Sequence, residues 1–335
     1  MKKGKNILRF ACLFLILMVS LGVFGVTDVS AGKLPSLKVS GTKLVNSKGR
    51  QVQLKGVSTH GIAWFPEYIN QDAFTYMKKN WGINTVRLAL YTSEYNGYCN
   101  SGAENRKVQL ARLDNGISCA TKAGLYVIVD WHILSDGNPK KYEKQAVSFW
   151  RRMAKKYKNH SNVIYEICNE PNGGTSWKTV KSYATKVIKE IRRYDKNAVI
   201  LVGTPNWSQN VDEAAKDPLD KKYRKNVMYS LHFYAGTHGS WLRDKASYAL
   251  ERKLPLFVSE FAICDASGSG KNNVKEGEKW MDFLNDNKIS YIGWNLSNKS
   301  ETSALIRSSC RKTTGWKTKE LSYWGRWLIK KMRAG

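Results

Sequence analysis

Two short apolar segments of the chain each run directly into a glutamate. The first segment reads ICNEP and contains Glu170, and the second reads FVSEF and contains Glu260. Two carboxyl groups at strand ends can cleave a glycosidic bond, because one protonates the leaving oxygen while the other, ionised, attacks the anomeric carbon. We therefore interpret Glu170 as a candidate acid/base and Glu260 as a candidate nucleophile.

Three polar residues near other predicted strand ends can support these two glutamates. Arg87 and Tyr234 can each donate a hydrogen bond to Glu260, which would keep its carboxylate ionised and oriented. Asn169 directly precedes Glu170, and its amide suits the 2-hydroxyl of a sugar, where a hydrogen bond strengthens in the transition state. These residue types predict catalytic support on both sides of the reacting bond.

Histidine and tryptophan are concentrated at the same predicted strand ends. His132 and His232 are predicted to position hydroxyls or the carboxyl groups, and a place in the core is the alternative for each. Trp64, Trp207 and Trp294 fall on the loop side, where the apolar face of a pyranose ring can stack on an indole. The pattern predicts a carbohydrate-binding cleft.

A scaffold must bring these strand ends together, and the hydrophobic pattern indicates which one. Short β-branched runs alternate with amphipathic stretches, which predicts strands alternating with helices. The predicted strands are residues 52–57, 84–90, 125–131, 163–168, 198–202, 227–232, 256–260 and 289–294. Eight such units predict an α/β fold, a single (β/α)8 TIM barrel, whose chemistry gathers at the carboxyl ends of the strands. Residues 37–49 are predicted to form a short N-terminal β-hairpin that closes the bottom of the barrel.

The start of the chain has the pattern of an export signal. A lysine-rich beginning is followed by an apolar run and by small residues ending at Ala31. This pattern predicts a signal peptide at residues 1–31 and a catalytic domain at residues 32–335, with an uncleaved membrane anchor as the alternative. The mature protein is then expected to be secreted, extracellular and without a membrane partner.

The chain is strongly basic, with 55 Lys and Arg against 27 Asp and Glu and a formal net charge of +28. These charges are spread through the predicted helices, which argues against a nucleic-acid-binding arm. They favour a salt-sensitive association with an anionic cell wall. The cysteines after the predicted signal show no metal-site or disulfide spacing. We expect no metal, no cofactor and a monomer.

Several motifs together point to a known family. They are LKGVSTHG at 54–61, NTVR at 84–87, DWHIL at 130–134, IYEICNEP at 164–171, VGTPNW at 202–207, LHFY at 231–234 and WNLS at 294–297. In these motifs the chain resembles glycoside hydrolase family five, in particular its bacterial secreted endoglucanases (cellulases). The resemblance implies a (β/α)8 barrel and hydrolysis of internal β-1,4-glucosidic bonds of a β-glucan, with retention of the anomeric configuration.

The resemblance also implies roles for individual residues. Glu170 is again the acid/base and Glu260 the nucleophile. The reacting subsite would contain Arg87, His132, Asn169, His232 and Tyr234. The neighbouring sugars would contact His60, Trp64, Tyr91, Trp207, Trp294, Lys299 and Glu301. The chain departs from the family pattern at Ala262 and over residues 306–312, so the rim of the cleft is where it is expected to differ.

Two alternatives remain open at this point. The same barrel can be built for mannan, xyloglucan, lichenan or xylan, because a few rim contacts decide which hydroxyl orientation is accepted. The second alternative is a non-catalytic polysaccharide-binding protein. The intact pair of glutamates, with its supporting Arg, Asn and His residues, favours an enzyme.

Overall fold

Eight parallel strands form a closed barrel in the computed structural model, which describes residues 34–334. Two further strands form the N-terminal hairpin, β1 (Leu37–Ser40) and β2 (Lys43–Asn46). The barrel strands are β3 (Lys55–Thr59), β4 (Thr85–Tyr91), β5 (Tyr126–His132), β6 (Val163–Glu166), β7 (Ile200–Val202), β8 (Val227–Tyr234), β9 (Leu256–Ala262) and β10 (Tyr291–Leu296). Strands β3 to β10 follow one another around the barrel, and β10 pairs with β3 to close it. The predicted TIM barrel is confirmed. The predicted signal peptide lies outside the described residues.

Helices pack around the barrel between the strands. They are α1 (Gln71–Trp81), α2 (Gly102–Ala123), α3 (Glu143–Tyr157), α4 (Trp177–Arg192), α5 (Pro205–Ser208), α6 (Val211–Lys216), α7 (Ser240–Glu251), α8 (Val274–Asp286) and α9 (Tyr323–Ala334). Local signals set some of their ends: the Asn70 side chain caps α1 by accepting from the Ala73 N–H at 2.7 Å, and Gly82 ends it in the left-handed conformation. None of the described helices is long and apolar enough to cross a membrane.

The barrel interior is apolar at the bottom and polar at the top. Strand β5 shows the change, because Ile128 belongs to the lower apolar cluster while Asp130 and His132, two and four residues later, bond to each other. Side chains two apart on a strand point to the same face, so all three face the interior. The polar end is the carboxyl end of the strands, where the predicted site residues lie.

The N-terminal hairpin seals the apolar end of the barrel. Leu37 and Leu44 join the lower cluster, and the Val39 N–H donates to Asn226 Oδ1 at 3.0 Å just before β8. The predicted hairpin is confirmed, and its tight turn lies at residues 41–42. Gly41 has a φ of +58°, which glycine adopts without strain.

Some strand boundaries differ from the predicted ones. Strand β3 begins three residues later than expected, because the preceding Val52 N–H donates to Leu44 of the hairpin at 2.8 Å and not to the barrel. Strand β6 ends at Glu166, although the Ile167 N–H still donates to Leu201 at 3.0 Å. Local sequence indicates an apolar run, and the pairing partner then decides where the strand begins and ends.

We predict that Leu44→Ala destabilises the barrel. Leu44 is 1% exposed, and removing its side chain leaves a cavity between hairpin and barrel, so the free energy of unfolding should fall by about 2–5 kcal/mol. Urea denaturation measures this change. Val108→Ala is the control, because Val108 is 46% exposed and its truncation should cost less than about 0.5 kcal/mol. Equal effects of the two substitutions would show that the hairpin does not seal the core.

Candidate active site

The two candidate catalytic glutamates meet at the carboxyl end of the barrel. Glu260 lies within β9, and Glu170 follows the end of β6 by four residues. One oxygen of each carboxylate and a ring nitrogen of His232 lie within 4.8 Å of one another. Glu170 is 8% exposed and Glu260 is 4% exposed. The pair is therefore close enough to act on one bond and is largely shielded from water.

Two donors fix the carboxylate of Glu260. The Tyr234 hydroxyl donates to Oε1 at 2.8 Å, and Arg87 Nη1 donates to Oε2 at 3.1 Å, as predicted from the residue types. Arg87 is fully buried and also forms ion pairs with Glu166 at 2.7 Å and Asp130 at 3.1 Å. Burial alone would lower the pKa of Arg87, but the three carboxylates raise it above its usual value. Arg87 thus holds a permanent positive charge against Glu260.

His232 links Glu170 to a buried hydrogen-bond chain. Its Nδ1 lies 2.9 Å from Glu170 Oε1 and its Nε2 lies 2.9 Å from Ser259 Oγ, which donates to Glu166 at 2.6 Å. Burial would lower the pKa of His232, but the hydrogen bonds to Glu166 and Glu170 and the charge of Glu260 raise it to about 9. His232 is therefore protonated near neutral pH, and both ring nitrogens donate.

His132 has the opposite protonation. Burial, followed by the charge of Arg87, lowers the pKa of His132 to about 3, so its ring is neutral. Its Nδ1 lies 2.6 Å from Asp130 Oδ2 and carries the proton, which leaves Nε2 to accept from Asn169 Nδ2 at 3.2 Å. Asn169 Oδ1 accepts from Arg87 at 2.6 Å, and its Nδ2 also donates to the Ile133 carbonyl at 3.1 Å. Because both hydrogens of the Asn169 amide are engaged with protein groups, its bond to a sugar 2-hydroxyl remains a prediction.

One group of side chains among the described residues has the composition and spacing of a metal site. It consists of Glu170, His232 and Glu260. Both nitrogens of His232 are already engaged with protein groups, and its raised pKa keeps it protonated, whereas a metal ligand must be deprotonated. The trio therefore suits acid/base chemistry better than it suits an ion.

A cavity of about 540 Å³ opens above the two glutamates. The predicted residues that line it are His60, Tyr91, His132, Glu170, Trp207, His232, Tyr234, Glu260, Trp294, Lys299 and Glu301. Arg87 and Asn169 are completely buried and do not reach it. Trp64 is not part of the lining either, because it packs against the rings of His60 and Tyr91 at centroid distances of 5.5 and 4.7 Å. It supports the wall from behind.

Aromatic rings form one side of this cavity. Trp294 lies 5.4 Å from both His60 and His132 between ring centroids, and it stacks on His132 with an interplanar angle of 18°. Lys299 and Glu301 complete this side with an ion pair of 2.6 Å between Nζ and Oε2. Burial, and next the charge of Lys299, lower the pKa of His60 to about 3, so His60 is neutral there. This wall offers flat apolar faces beside hydrogen-bonding groups, as sugar rings require.

Trp207 stands on the opposite side of the cavity in a strained turn. Asn206, Trp207 and Ser208 all have φ between 55° and 57°, a region that residues other than glycine rarely adopt. The Trp207 N–H donates to the Pro171 carbonyl at 3.0 Å, and the side chain remains 44% exposed. Strain of this kind persists where the surrounding structure enforces it, and here it holds Trp207 in the lining of the cavity that also contains Glu170.

The sequence reasoning missed several residues of the lining. They are Leu134, Asn206, Gln209, His238, Ala266, Ser267 and Gly268. Two of the missed groups had a signal in the sequence. His238 follows strand β8 closely, and the small-residue segment ASGSG at 266–270 follows the strand that carries Glu260.

Comparisons with known proteins show the family of the chain. The model of the family described as "Cellulase (glycosyl hydrolase family 5)" matches residues 45–300. Endoglucanase A of Butyrivibrio fibrisolvens is 46% identical over 294 residues, which span 88% of this chain and 67% of the relative. An endoglucanase of Clostridium saccharobutylicum is 42% identical over 327 residues, which span 96% of this chain and 71% of the relative. The chain belongs to glycosyl hydrolase family 5.

Solved structures give the same assignment. The cellulase Cel5C_n superposes with a TM-score of 0.84 at 41% identity, covering 91% of this chain and 94% of that one. The catalytic domain of the Thermobifida fusca endoglucanase Cel5A, solved in complex with cellotetraose, superposes with a TM-score of 0.83 at 34% identity, covering 90% and 98%. Barrel, paired carboxylates and family together identify a glycoside hydrolase.

We predict that His232→Gln makes stability depend differently on pH. The pKa of His232 is about 9 in the folded protein against 6.5 for the ordinary side chain, so its protonated form stabilises the fold. This contribution is complete below pH 6.5, declines as pH rises, and is lost above about pH 9. The variant should be less stable by on the order of a few kcal/mol at pH 6, and its deficit should narrow by pH 10.

Chemical denaturation at several pH values measures this deficit. His160→Gln is the control, because His160 is exposed and its ring packs against Tyr157 and not against these carboxylates. A deficit of His232→Gln that stays constant from pH 6 to pH 10 would contradict the protonated state assigned to His232.

Proposed function

We propose that this protein is a retaining endo-β-1,4-glucanase, which hydrolyses internal bonds of cellulose and related β-glucans by double displacement. The single observation that carries the mechanism is the approach of the Glu170 and Glu260 carboxylates to within 4.8 Å. Retaining glycosidases place their two carboxyl groups about 5–5.5 Å apart, whereas inverting enzymes leave about 6.5–9.5 Å for a water molecule. The separation favours retention.

The surroundings of each carboxylate favour one assignment of roles. Arg87 and Tyr234 stabilise Glu260 as an anion, so Glu260 attacks the anomeric carbon. As that bond forms, the bond to the leaving sugar breaks, and Glu170 transfers its proton to the leaving oxygen. The product of this step is a glycosyl ester on Glu260 together with a free sugar hydroxyl and an ionised Glu170.

The second step reverses these roles. Glu170 removes a proton from water, and the water oxygen attacks the anomeric carbon. The bond between that carbon and Glu260 breaks at the same time. The second inversion restores the original configuration. Protonated His232 faces Glu170 Oε1 at 2.9 Å and can donate a hydrogen bond that orients this carboxyl group. Glu170 ends the cycle protonated and Glu260 ends it ionised, so no external acid or base is consumed.

The preference for glucan rests on the relatives and on the cavity walls. The curated relatives are named endoglucanases, and one structural neighbour was solved with cellotetraose. The indoles of Trp207 and Trp294 in the lining suit a chain whose rings present flat apolar faces. Mannan, xyloglucan, lichenan and xylan are the alternatives, because a few rim contacts separate them. A purely binding role is disfavoured by the complete catalytic geometry.

An activated substrate separates the roles of the two glutamates. Dinitrophenyl β-cellobioside has a leaving group that needs no proton, so Glu170→Ala should keep a fast first release of dinitrophenol and lose about 10²- to 10⁴-fold in steady-state rate. Glu260→Ala should lose the first release as well. Stopped-flow absorbance measures both phases. Exposed Glu251→Gln serves as the control and should behave as wild type. Interchanged behaviour of the two variants would reverse the assignment.

A panel of polysaccharides tests the substrate. We expect wild type to cut hydroxyethyl cellulose and mixed-linkage β-glucan at least tenfold faster than mannan or xylan, and to lower viscosity well before many reducing ends appear. Endo-cleavage has this effect because one cut in the middle halves a chain. Preference for mannan or xylan would overturn the glucan assignment. Failure to cut any of them would overturn the enzymatic proposal.

A further inference from the structure

A second cavity adjoins the catalytic one and has a different chemical character. It has a volume of about 610 Å³ and shares Lys299 and Glu301 with the catalytic cavity, so the two cavities adjoin at this ion pair. Its other walls come from the segment after β10 and from the start of α9. We call it the arginine basin and define it by Lys299, Glu301, Arg307, Ser308, Tyr323 and Arg326.

Two guanidinium groups converge in the arginine basin. Arg307 Nε donates to the Leu321 carbonyl at 3.1 Å, and Arg326 Nη1 donates to the same oxygen at 2.7 Å. Their positive charges are therefore neighbours, yet neither arginine forms an ion pair with a carboxylate within residues 34–334. Two like charges held together without a counter-ion make a site that an anion would stabilise.

The remaining groups of the basin do not neutralise these arginines. Glu301 is the carboxylate that lines it, and this side chain is paired with Lys299 at 2.6 Å and accepts from Asn295 at 2.8 Å. Tyr323 is 52% exposed and offers a ring face beside Arg326. The basin thus combines an aromatic face, serine hydroxyls and uncompensated positive charge.

We propose that the arginine basin is a subsite for a carboxylate-bearing sugar unit of the polysaccharide chain that occupies the cleft. The planar guanidinium groups of Arg307 and Arg326 match a carboxylate, and Tyr323 can stack on the ring that carries it. The basin is reached along Lys299 and Glu301, so the anionic unit belongs to the bound chain. The proposal rests on the proposed function of the cleft, and it assigns a purpose to residues 306–312, where the sequence departs from its family.

Binding to an inactive protein tests the basin without requiring catalysis. The Glu260→Gln protein is titrated calorimetrically at low salt with carboxymethylated cello-oligosaccharide and with its neutral counterpart of equal length. We expect the carboxymethylated probe to bind about five- to tenfold more tightly, as two partly exposed charge pairs would give, and the advantage to shrink at high salt. Adding Arg307→Gln and Arg326→Gln together should abolish the advantage and leave the neutral probe unchanged.

Two further variants complete the design. Arg307→Lys with Arg326→Lys keeps the charges and should retain part of the advantage. Arg50→Gln removes an exposed arginine next to the N-terminal hairpin, at the other end of the barrel, and should change nothing. Three results would overturn the proposal. The first is equal binding of both probes to the Glu260→Gln protein. The others are tighter binding of the carboxymethylated probe that survives the double Gln substitution or that is lost with Arg50→Gln.

Hydrolysis assays keep this result separate from the proposed function. Wild type and the double Gln variant are each assayed on carboxymethyl cellulose and on hydroxyethyl cellulose. The kcat/KM for carboxymethyl cellulose divided by that for hydroxyethyl cellulose should be several-fold lower in the variant. Failure to cut either polymer would overturn the endoglucanase assignment, while the calorimetric comparison would still decide the arginine basin. An equal loss on both polymers would contradict the basin as a site for anions.

Discussion

The buried charge of Arg87 is the constraint on which the active site depends. Its guanidinium is completely buried and contacts carboxylates from three other strands, Asp130, Glu166 and Glu260. Leaving one such charge unpaired inside a protein costs on the order of several kcal/mol, so these groups are stable only together. Because each comes from a different strand, the nucleophile is correctly oriented only when the barrel is closed.

The two ends of the barrel serve different needs. The hairpin and the lower apolar cluster contribute stability mainly by removing nonpolar surface from water. The upper interior instead buries a network of charges and hydrogen bonds, which contributes orientation more than stability. Burial lowers the pKa of both His132 and His232. The charge of Arg87 lowers the pKa of His132 further, whereas Glu166, Glu170 and Glu260 raise the pKa of His232, so the two rings have opposite protonation.

The acidic groups of the reaction and the excess of basic residues lie in different parts of the molecule. The carboxylates of the reaction lie inside the barrel, while the excess of basic residues is carried elsewhere. At the rim the ion pair of Lys299 and Glu301 separates the catalytic cavity from the arginine basin. A chain that runs along this rim would pass from the aromatic wall of the catalytic cavity to the positively charged arginine basin. Discrimination between neutral and anionic glycans can therefore be built into the rim without altering the catalytic groups.

The sequence by itself determined the barrel, the hairpin and the two glutamates, because hydrophobic period and strand-end motifs are local properties. It also indicated Arg87 and Tyr234 as partners of Glu260. Only the tertiary structure decided that both hydrogens of the Asn169 amide bond to protein groups, that Trp64 lies behind the wall, and which loop residues reach the cavity. These contacts join residues that are far apart in the chain, and they depend on strand register and loop conformation, which form only when the barrel closes.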